Sequence, residues 1–229
     1  MRSRVLLALV TATTLALAGL LGAPAAQAEP APLAPVPLEA NTLLDTGGFH
    51  RCVTGFNLNG PTAGYFTLAH ECAELGTVVH GPGNVPIGPV TTGDFSPTGG
   101  YVLVRVDNTE HWQQVGRIRN QSGVPVVITG SGETPVGGQV CISGSVGGYR
   151  CGTVTAKNVT VAFPEGTLTG LTRTNLCLEG AEEAGAPVFT GSQAQGIMIG
   201  GAGGGGYCTS FFRPINQIMA EHGLTLITG

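Results

Sequence analysis

Lysine is all but missing from this chain of 229 residues: Lys157 stands alone, and basic residues of both kinds total 10. Charged residues make up only 10 % of the sequence, and 14 acidic side chains outnumber the 10 basic ones. A surface that grips nucleic acid or an anionic membrane clusters lysine and arginine, so composition excludes both partner classes. No Cys-x-x-Cys spacing occurs and no histidine partners a cysteine pair, which leaves a zinc-finger type of site without ligands. There is no dinucleotide fingerprint and no P-loop. The cluster Gly200-Gly201-Ala202-Gly203-Gly204-Gly205-Gly206 is not followed by the Lys-Ser/Thr that would open a phosphate-binding helix. No cofactor is implied.

What is present begins with an export signal. Arg2 and Arg4 precede an apolar run from Val5 to Leu21, and Ala26-Gln27-Ala28 supplies a small-x-small cleavage pattern. The run approaches the length of a membrane span, but the cleavage motif favours a signal peptide over residues 1–28. Residues 29–42, with Pro30, Pro32, Pro35 and Pro37 among small residues, are expected to be an extended, poorly packed leader. No folded pro-region is expected there. The folded domain is expected over residues 43–229, secreted, monomeric and free of the membrane after cleavage.

Short runs rich in Val, Ile, Thr, Tyr and Phe then alternate with Gly, Pro and Asn turns. Gly64-Tyr65-Phe66-Thr67-Leu68 and Tyr101-Val102-Leu103-Val104-Arg105-Val106 are examples. This spacing predicts an all-β body of antiparallel sandwich or barrel type. One helix is credible at the C-terminus, where Pro214 suits a first turn and Gly223 a stop, with a final strand after it. The six cysteines fall into neighbouring pairs, Cys52 with Cys72, Cys141 with Cys151 and Cys177 with Cys208. An even count in an exported chain favours disulfides, although sequence alone leaves many pairings open.

Several stretches, in order, resemble the bacterial streptogrisin and alpha-lytic type of chymotrypsin-fold serine proteases. Cys52-Val53-Thr54-Gly55-Phe56-Asn57 and Gly64-Tyr65-Phe66-Thr67-Leu68-Ala69 look like the family's opening. Cys141-Ile142-Ser143-Gly144 with Cys151-Gly152-Thr153-Val154-Thr155-Ala156 resembles its middle hairpin. Gly170-Leu171-Thr172-Arg173-Thr174-Asn175-Leu176-Cys177 is similar to the approach to its nucleophile, and Phe211-Phe212-Arg213-Pro214 to its closing segment. The resemblance implies two packed antiparallel six-stranded β-barrels, a cleft between them, a C-terminal helix, and disulfides within the three neighbouring pairs.

The chemistry of such a fold needs histidine, aspartate and serine in that order. A hydroxyl attacks poorly until the histidine takes its proton, and the carboxylate fixes the histidine's tautomer. Each position departs from the family here. Against Thr-Ala-Gly-His-Cys, anchoring on Cys72 puts Glu71 in the histidine slot and leaves His70 one residue early. An extended backbone would turn His70 to the opposite side, and a bulge would return it. Against Asn-Asp-Tyr-x-x-Val-Arg, Gly99-Gly100-Tyr101-Val102-Leu103-Val104-Arg105 puts Gly100 at the carboxylate, with Asp94 upstream reading as a solvated loop acid. Against Gly-Asp-Ser-Gly-Gly-Pro, counting back from Pro187 puts Ala184 at the nucleophile, while counting forward from Cys177 puts Glu183 there. No Ser, Thr or Cys lies between Cys177 and Thr190. Glu182 disturbs the oxyanion segment, and Ile199-Gly200-Gly201 replaces the supporting Ser-x-Gly.

These changes lead to the expectation of a non-catalytic homologue binding an extended peptide or secreted protein along Ile199, Gly200 and Gly201. Glu71, Glu182 and Glu183 would make the cleft acidic and favour basic ligands. The alternative is a weak or atypical endopeptidase using His70 with a displaced nucleophile, Ser192 or Ser210. A divalent ion among His70, Glu71, Glu182 and Glu183 is a third arrangement those side chains permit, although the preferred reading requires no metal.

Overall fold

The segment Tyr101-Val102-Leu103-Val104-Arg105-Val106 shows how the fold is written. Successive side chains of a strand face opposite ways, yet every residue here except Arg105 is buried. Val102, Val104 and Val106 enter one core with Phe66, Leu68 and Val90. Tyr101 and Leu103 enter another with Phe56, Ile215 and Ile218. A strand with both faces covered sits between two layers, and this one separates the interior of the first half from the seam with the second.

A computed structural model describes residues 34–45, 52–120, 123–144, 148–178, 184–204 and 207–229. The first half holds β1 (Val36–Ala40), β2 (Asn57–Asn59), β3 (Gly64–Ala69), β4 (Val78–Gly81), β5 (Val85–Asp94), β6 (Tyr101–Val106), β7 (Trp112–Ile118) and β8 (Val126–Val127). The second holds β9 (Gln139–Gly144), β10 (Gly148–Phe163), β11 (Gly166–Thr174), β12 (Pro187–Thr190), β13 (Gln193–Gly204) and β14 (Tyr207–Pro214). Helix α1 (Ile215–His222) and β15 (Thr225–Leu226) close the chain.

The second half is a closed barrel in the order β10-β11-β14-β13-β12-β9. The first is less regular than two equal barrels would require. It consists of a six-stranded sheet, β15-β2-β3-β6-β5-β4, and a separate three-stranded sheet, β1-β7-β8. Side chains join the two sheets where the ladder does not: Asn57 Nδ2 donates to the Leu38 and Val115 carbonyls, and Gln114 Nε2 to that of Tyr65. The chain's last strand crosses back onto β2, pairing Thr225 with Asn59 and Leu226 with Leu58. The C-terminus thus completes the first half. Helix α1 runs as expected, with Pro214 just before it and left-handed Gly223 ending it by donating to the Met219 carbonyl.

The structure corrects the leader. In place of the unpacked segment expected over 29–42, Val36–Ala40 within it is a strand running parallel to β7. Leu38 is fully buried in the first core beside Trp112. Prolines at 35 and 37 remove donors but do not prevent an edge strand, and Val36 N donates to the His111 carbonyl. The compact unit starts at Ala34, before the expected boundary at residue 43. Leu38→Ala is therefore expected to cost about 3 kcal/mol by cavity formation, read as an earlier urea midpoint. A packing-free leader would leave that midpoint in place.

All three neighbouring disulfides form: Cys52–Cys72, Cys141–Cys151 and Cys177–Cys208. The ladder explains one directly, since Cys141 and Cys151 face each other across β9 and β10.

Candidate functional site

His70, Glu71 and Cys72 form a single 3-10 turn. The segment is thus neither extended nor bulged, and neighbouring side chains diverge by about a third of a turn, not by half. Glu71 is exposed, while His70 is half-buried. The His70 ring meets the Phe95 ring edge-on at 5.2 Å, and its backbone N–H reaches the Gly100 carbonyl at 3.3 Å. Of the pair, His70 is the residue turned toward the loop that in the family carries the aspartate. Both residues line an open pocket with Glu74, Leu75 and Asp94.

Asp94 braces its own turn. Its Oδ1 accepts the Ser96 N–H at 2.8 Å. Hydrogen bonding to Ser96 holds its carboxyl below the usual range, with nearby His70 a smaller contribution. It caps its own turn, the bland role expected of it, while its carbonyl accepts the Gly100 N–H.

Gly100 has φ +87°, in the left-handed region, and the space before it is filled. A β-carbon there would lie 2.8 Å from Leu168 Cδ1 and 3.4 Å from Ile199 Cδ1. An aspartate at this position would meet strain, a clash and an apolar wall together. Ile199 of β13 forms one half of this plug. Leu168 of β11 is the other half of the plug, and no local sequence signal pointed to it.

Ala184 is buried at 8 % exposure in the first core, which also contains Ala69 and the paired Cys52 and Cys72. The next residue, Gly185 at φ +80°, donates its N–H to the Met198 carbonyl at 2.7 Å. That bond ties residue 185 to the residue before Ile199, so the count back from Pro187 brings Ala184, Ile199 and Gly100 to one region. Glu182 and Glu183 lie outside the described residues, as does the rest of 179–183. The acidic floor and the shape of the oxyanion segment rest on them.

The displaced nucleophiles do not fit. Ser210 is fully buried and shares a 2.6 Å hydrogen bond with Thr174 Oγ1. Ser192, half-buried on the β12–β13 turn, accepts a 2.8 Å bond from Thr129 Oγ1. Among the described residues no group of three His, Cys, Asp or Glu side chains is placed to hold a metal, and the proposed quartet depends on the undescribed Glu182 and Glu183.

The strand edge is available. On one side β13 pairs with β14 along its length. On the other, β12 pairs only as far as Ile197, so Ile199, Gly200 and Gly201 have no strand neighbour there among the described residues. Sequence reasoning missed the aromatic wall beside this edge. Phe95, Phe163 and Phe211 come from three separate segments and meet at ring distances of 6.1 and 6.2 Å.

It also missed Arg213, which is 1 % exposed. Its guanidinium donates to the Gly99 carbonyl at 3.0 Å, the Thr169 carbonyl at 2.6 Å and the Gln217 side chain at 3.1 Å. Burial pulls its pKa down, with Tyr101 and Glu221 opposing. A charge held by carbonyls binds the loop before Gly100 to β11 and α1.

No family model matches the chain. Individual relatives do. Streptogrisin-C of Streptomyces griseus is 35 % identical over 184 residues, 79 % of this chain. The chain spans 39 % of that protein's length and 62 % of streptogrisin-A. Glutamyl endopeptidase 2 of the same organism is 31 % identical over 181 residues, 79 % of this chain and 95 % of that protein. Among solved structures, Thermobifida fusca Protease A superposes with a TM-score of 0.75 at 36 % identity, covering 85 % of this chain and 100 % of the other. Cellulomonas bogoriensis chymotrypsin gives 0.73 at 35 % identity, over 85 % of this chain and 100 % of its own. With that fold, these disulfides and relatives matched nearly end to end, the chain belongs to the streptogrisin and alpha-lytic type of trypsin-like serine protease family.

Proposed function

We propose that this chain is an exported, non-catalytic, monomeric member of its family that binds an extended peptide or protein segment without cutting it. The observation that carries the reading is that no Ser, Thr or Cys lies between Cys177 and Thr190, with Ala184 at the position counted back from Pro187. In a comparable serine hydrolase, loss of the nucleophile alone costs about 10⁶ in turnover, near 8 kcal/mol of transition-state stabilisation. The plug of Leu168 and Ile199 before Gly100 supports the same reading, because it leaves no room for a carboxylate on residue 100. Export is supported by the signal-like N-terminus, by the disulfides and by the family. Among the described residues no helix is long and apolar enough to cross a membrane.

Binding draws on the unpaired edge at Ile199, Gly200 and Gly201, where an extended ligand adds a strand by backbone hydrogen bonds. Two measurements test the proposal. A fluorophosphonate probe is expected to leave the protein unlabelled, with no turnover of peptide or ester substrates. Calorimetry against linear peptide libraries is expected to find saturable binding. Stoichiometric labelling with turnover would overturn the non-catalytic half, and absence of heat with every peptide would overturn the binding half.

A further inference from the structure

The loop over residues 95–100 touches the free edge of β13 at two points. At one end Phe95 packs edge-on against Phe163, whose Cε1 is the nearest atom to a β-carbon built on Gly200, at 3.6 Å. At the other end Gly100 lies against Ile199. Whatever holds this loop in place also shapes the edge. Arg213 holds it from within, through the Gly99 carbonyl. The last turn of α1 holds it from outside.

Tyr101 follows the loop directly and is 2 % exposed. Its hydroxyl lies 3.1 Å from Glu221 Oε2 and 2.8 Å from His222 Nε2, and the two rings meet edge-on at 5.8 Å. Glu221 Oε1 also accepts from Thr98 Oγ1, inside the loop, at 3.4 Å. The direction of each bond follows from the proton count. A carboxylate only accepts, and a phenol has one proton to give. Tyr101 therefore donates to Glu221, and His222 must donate to Tyr101 through an Nε2–H. Burial, followed by the Glu221 charge and hydrogen bond, pushes the Tyr101 pKa up, so the hydroxyl keeps its proton. Glu221 is exposed and His222 half-buried: the contact is made at the surface, while the loop it holds reaches the interior.

We infer that Glu221 and His222 are positioning residues: through Tyr101 and Thr98 the last turn of α1 latches loop 95–100 and so tunes the affinity of the edge at 199–201 for an extended peptide. The effect on affinity rests on the peptide-binding proposal; the latch itself does not.

Long-range proton–nitrogen spectra test the latch. At about pH 8, where an ordinary imidazole is neutral, wild-type His222 is expected to be the Nε2–H tautomer. In Glu221→Ala the Tyr101 proton turns to His222, so the tautomer is expected to switch to Nδ1–H. Glu221→Gln, whose side-chain oxygen still accepts, is expected to keep Nε2–H. Tyr101→Phe retains the buried ring and leaves both α1 side chains to water, so its melting temperature should stay near that of the wild type. Glu221→Ala and Tyr101→Phe are each expected to shift the 95–100 amide signals and to weaken a linear peptide selected on the wild type by about fivefold in Kd. Glu221→Gln is expected to restore wild-type affinity, a loss and rescue at constant stability that a merely structural contact does not produce. An Nδ1–H tautomer in the wild type, or unchanged amides and affinity in both disrupting variants, overturns the latch and leaves peptide binding intact. A wild type that selects no peptide overturns the binding proposal and the effect on affinity, while the tautomer and the amide shifts still decide the latch.

Discussion

Gly100→Asp, which adds a carboxylate in front of Leu168 and Ile199, is expected to destabilise the protein by about 4 kcal/mol. Three costs act together. A non-glycine residue in the left-handed region costs about 1–2 kcal/mol per residue, and Gly100 has φ +87°. The new β-carbon would meet Leu168 Cδ1 at 2.8 Å, forcing one of them off its rotamer. The carboxylate would then face Leu168 and Ile199 with no donor supplied by either. For a domain of this size the melting temperature should fall by about 10 °C. Adding Ile199→Ser, which opens space and supplies a hydroxyl, is expected to recover part of the loss; the neighbours are coupled, so the effects will not add. Scanning calorimetry reads both. An unchanged melting temperature for Gly100→Asp would show that the backbone relaxes freely and that the site is not plugged. Ala184→Ser, by contrast, places a small hydroxyl at a tolerant position and is expected to fold and remain inactive.

Arg213→Met is expected to cost a similar amount, about 4 kcal/mol, for a different reason. The guanidinium is 1 % exposed and its donors are taken by the carbonyls of Gly99 and Thr169 and by Gln217. A methionine fills much of the volume but leaves those acceptors buried and without their donors, at about 1–3 kcal/mol each. Relief of the buried charge offsets part of this. Arg213→Lys keeps the charge but has a single donor centre, which cannot span partners on both sides, so it should recover little. Hydrogen exchange distinguishes the bolt from generic packing. The Gly99 and Gly100 amides are expected to lose protection before the β6 core does. Uniform loss across β6 and β11 would show that Arg213 contributes only to global stability.

Much of the fold was legible because β-structure advertises itself locally. The β-branched and aromatic run Tyr101–Val106 and the turn residues between runs each carry their meaning over a few positions. The helix at 215–222 was legible for the same reason, with Pro214 and Gly223 marking its ends. The leader was misjudged because proline content speaks for local stiffness and says nothing of a distant partner. Val36–Ala40 becomes a strand only because β7, more than seventy residues later, offers an edge.

Chain order alone suffices for the absences: no hydroxyl from Leu178 to Phe189, no acid at Gly100, and a single lysine. What packs around those positions depends on the folded chain. It put His70 rather than Glu71 on the inner side of a 3-10 turn, a matter of one torsion-angle choice that residue spacing does not encode. It brought Leu168, Ile199 and Gly100 together from β11, β13 and the approach to β6. Contacts between residues so far apart in the chain depend on how two sheets close around one core, and no local pattern carries that information.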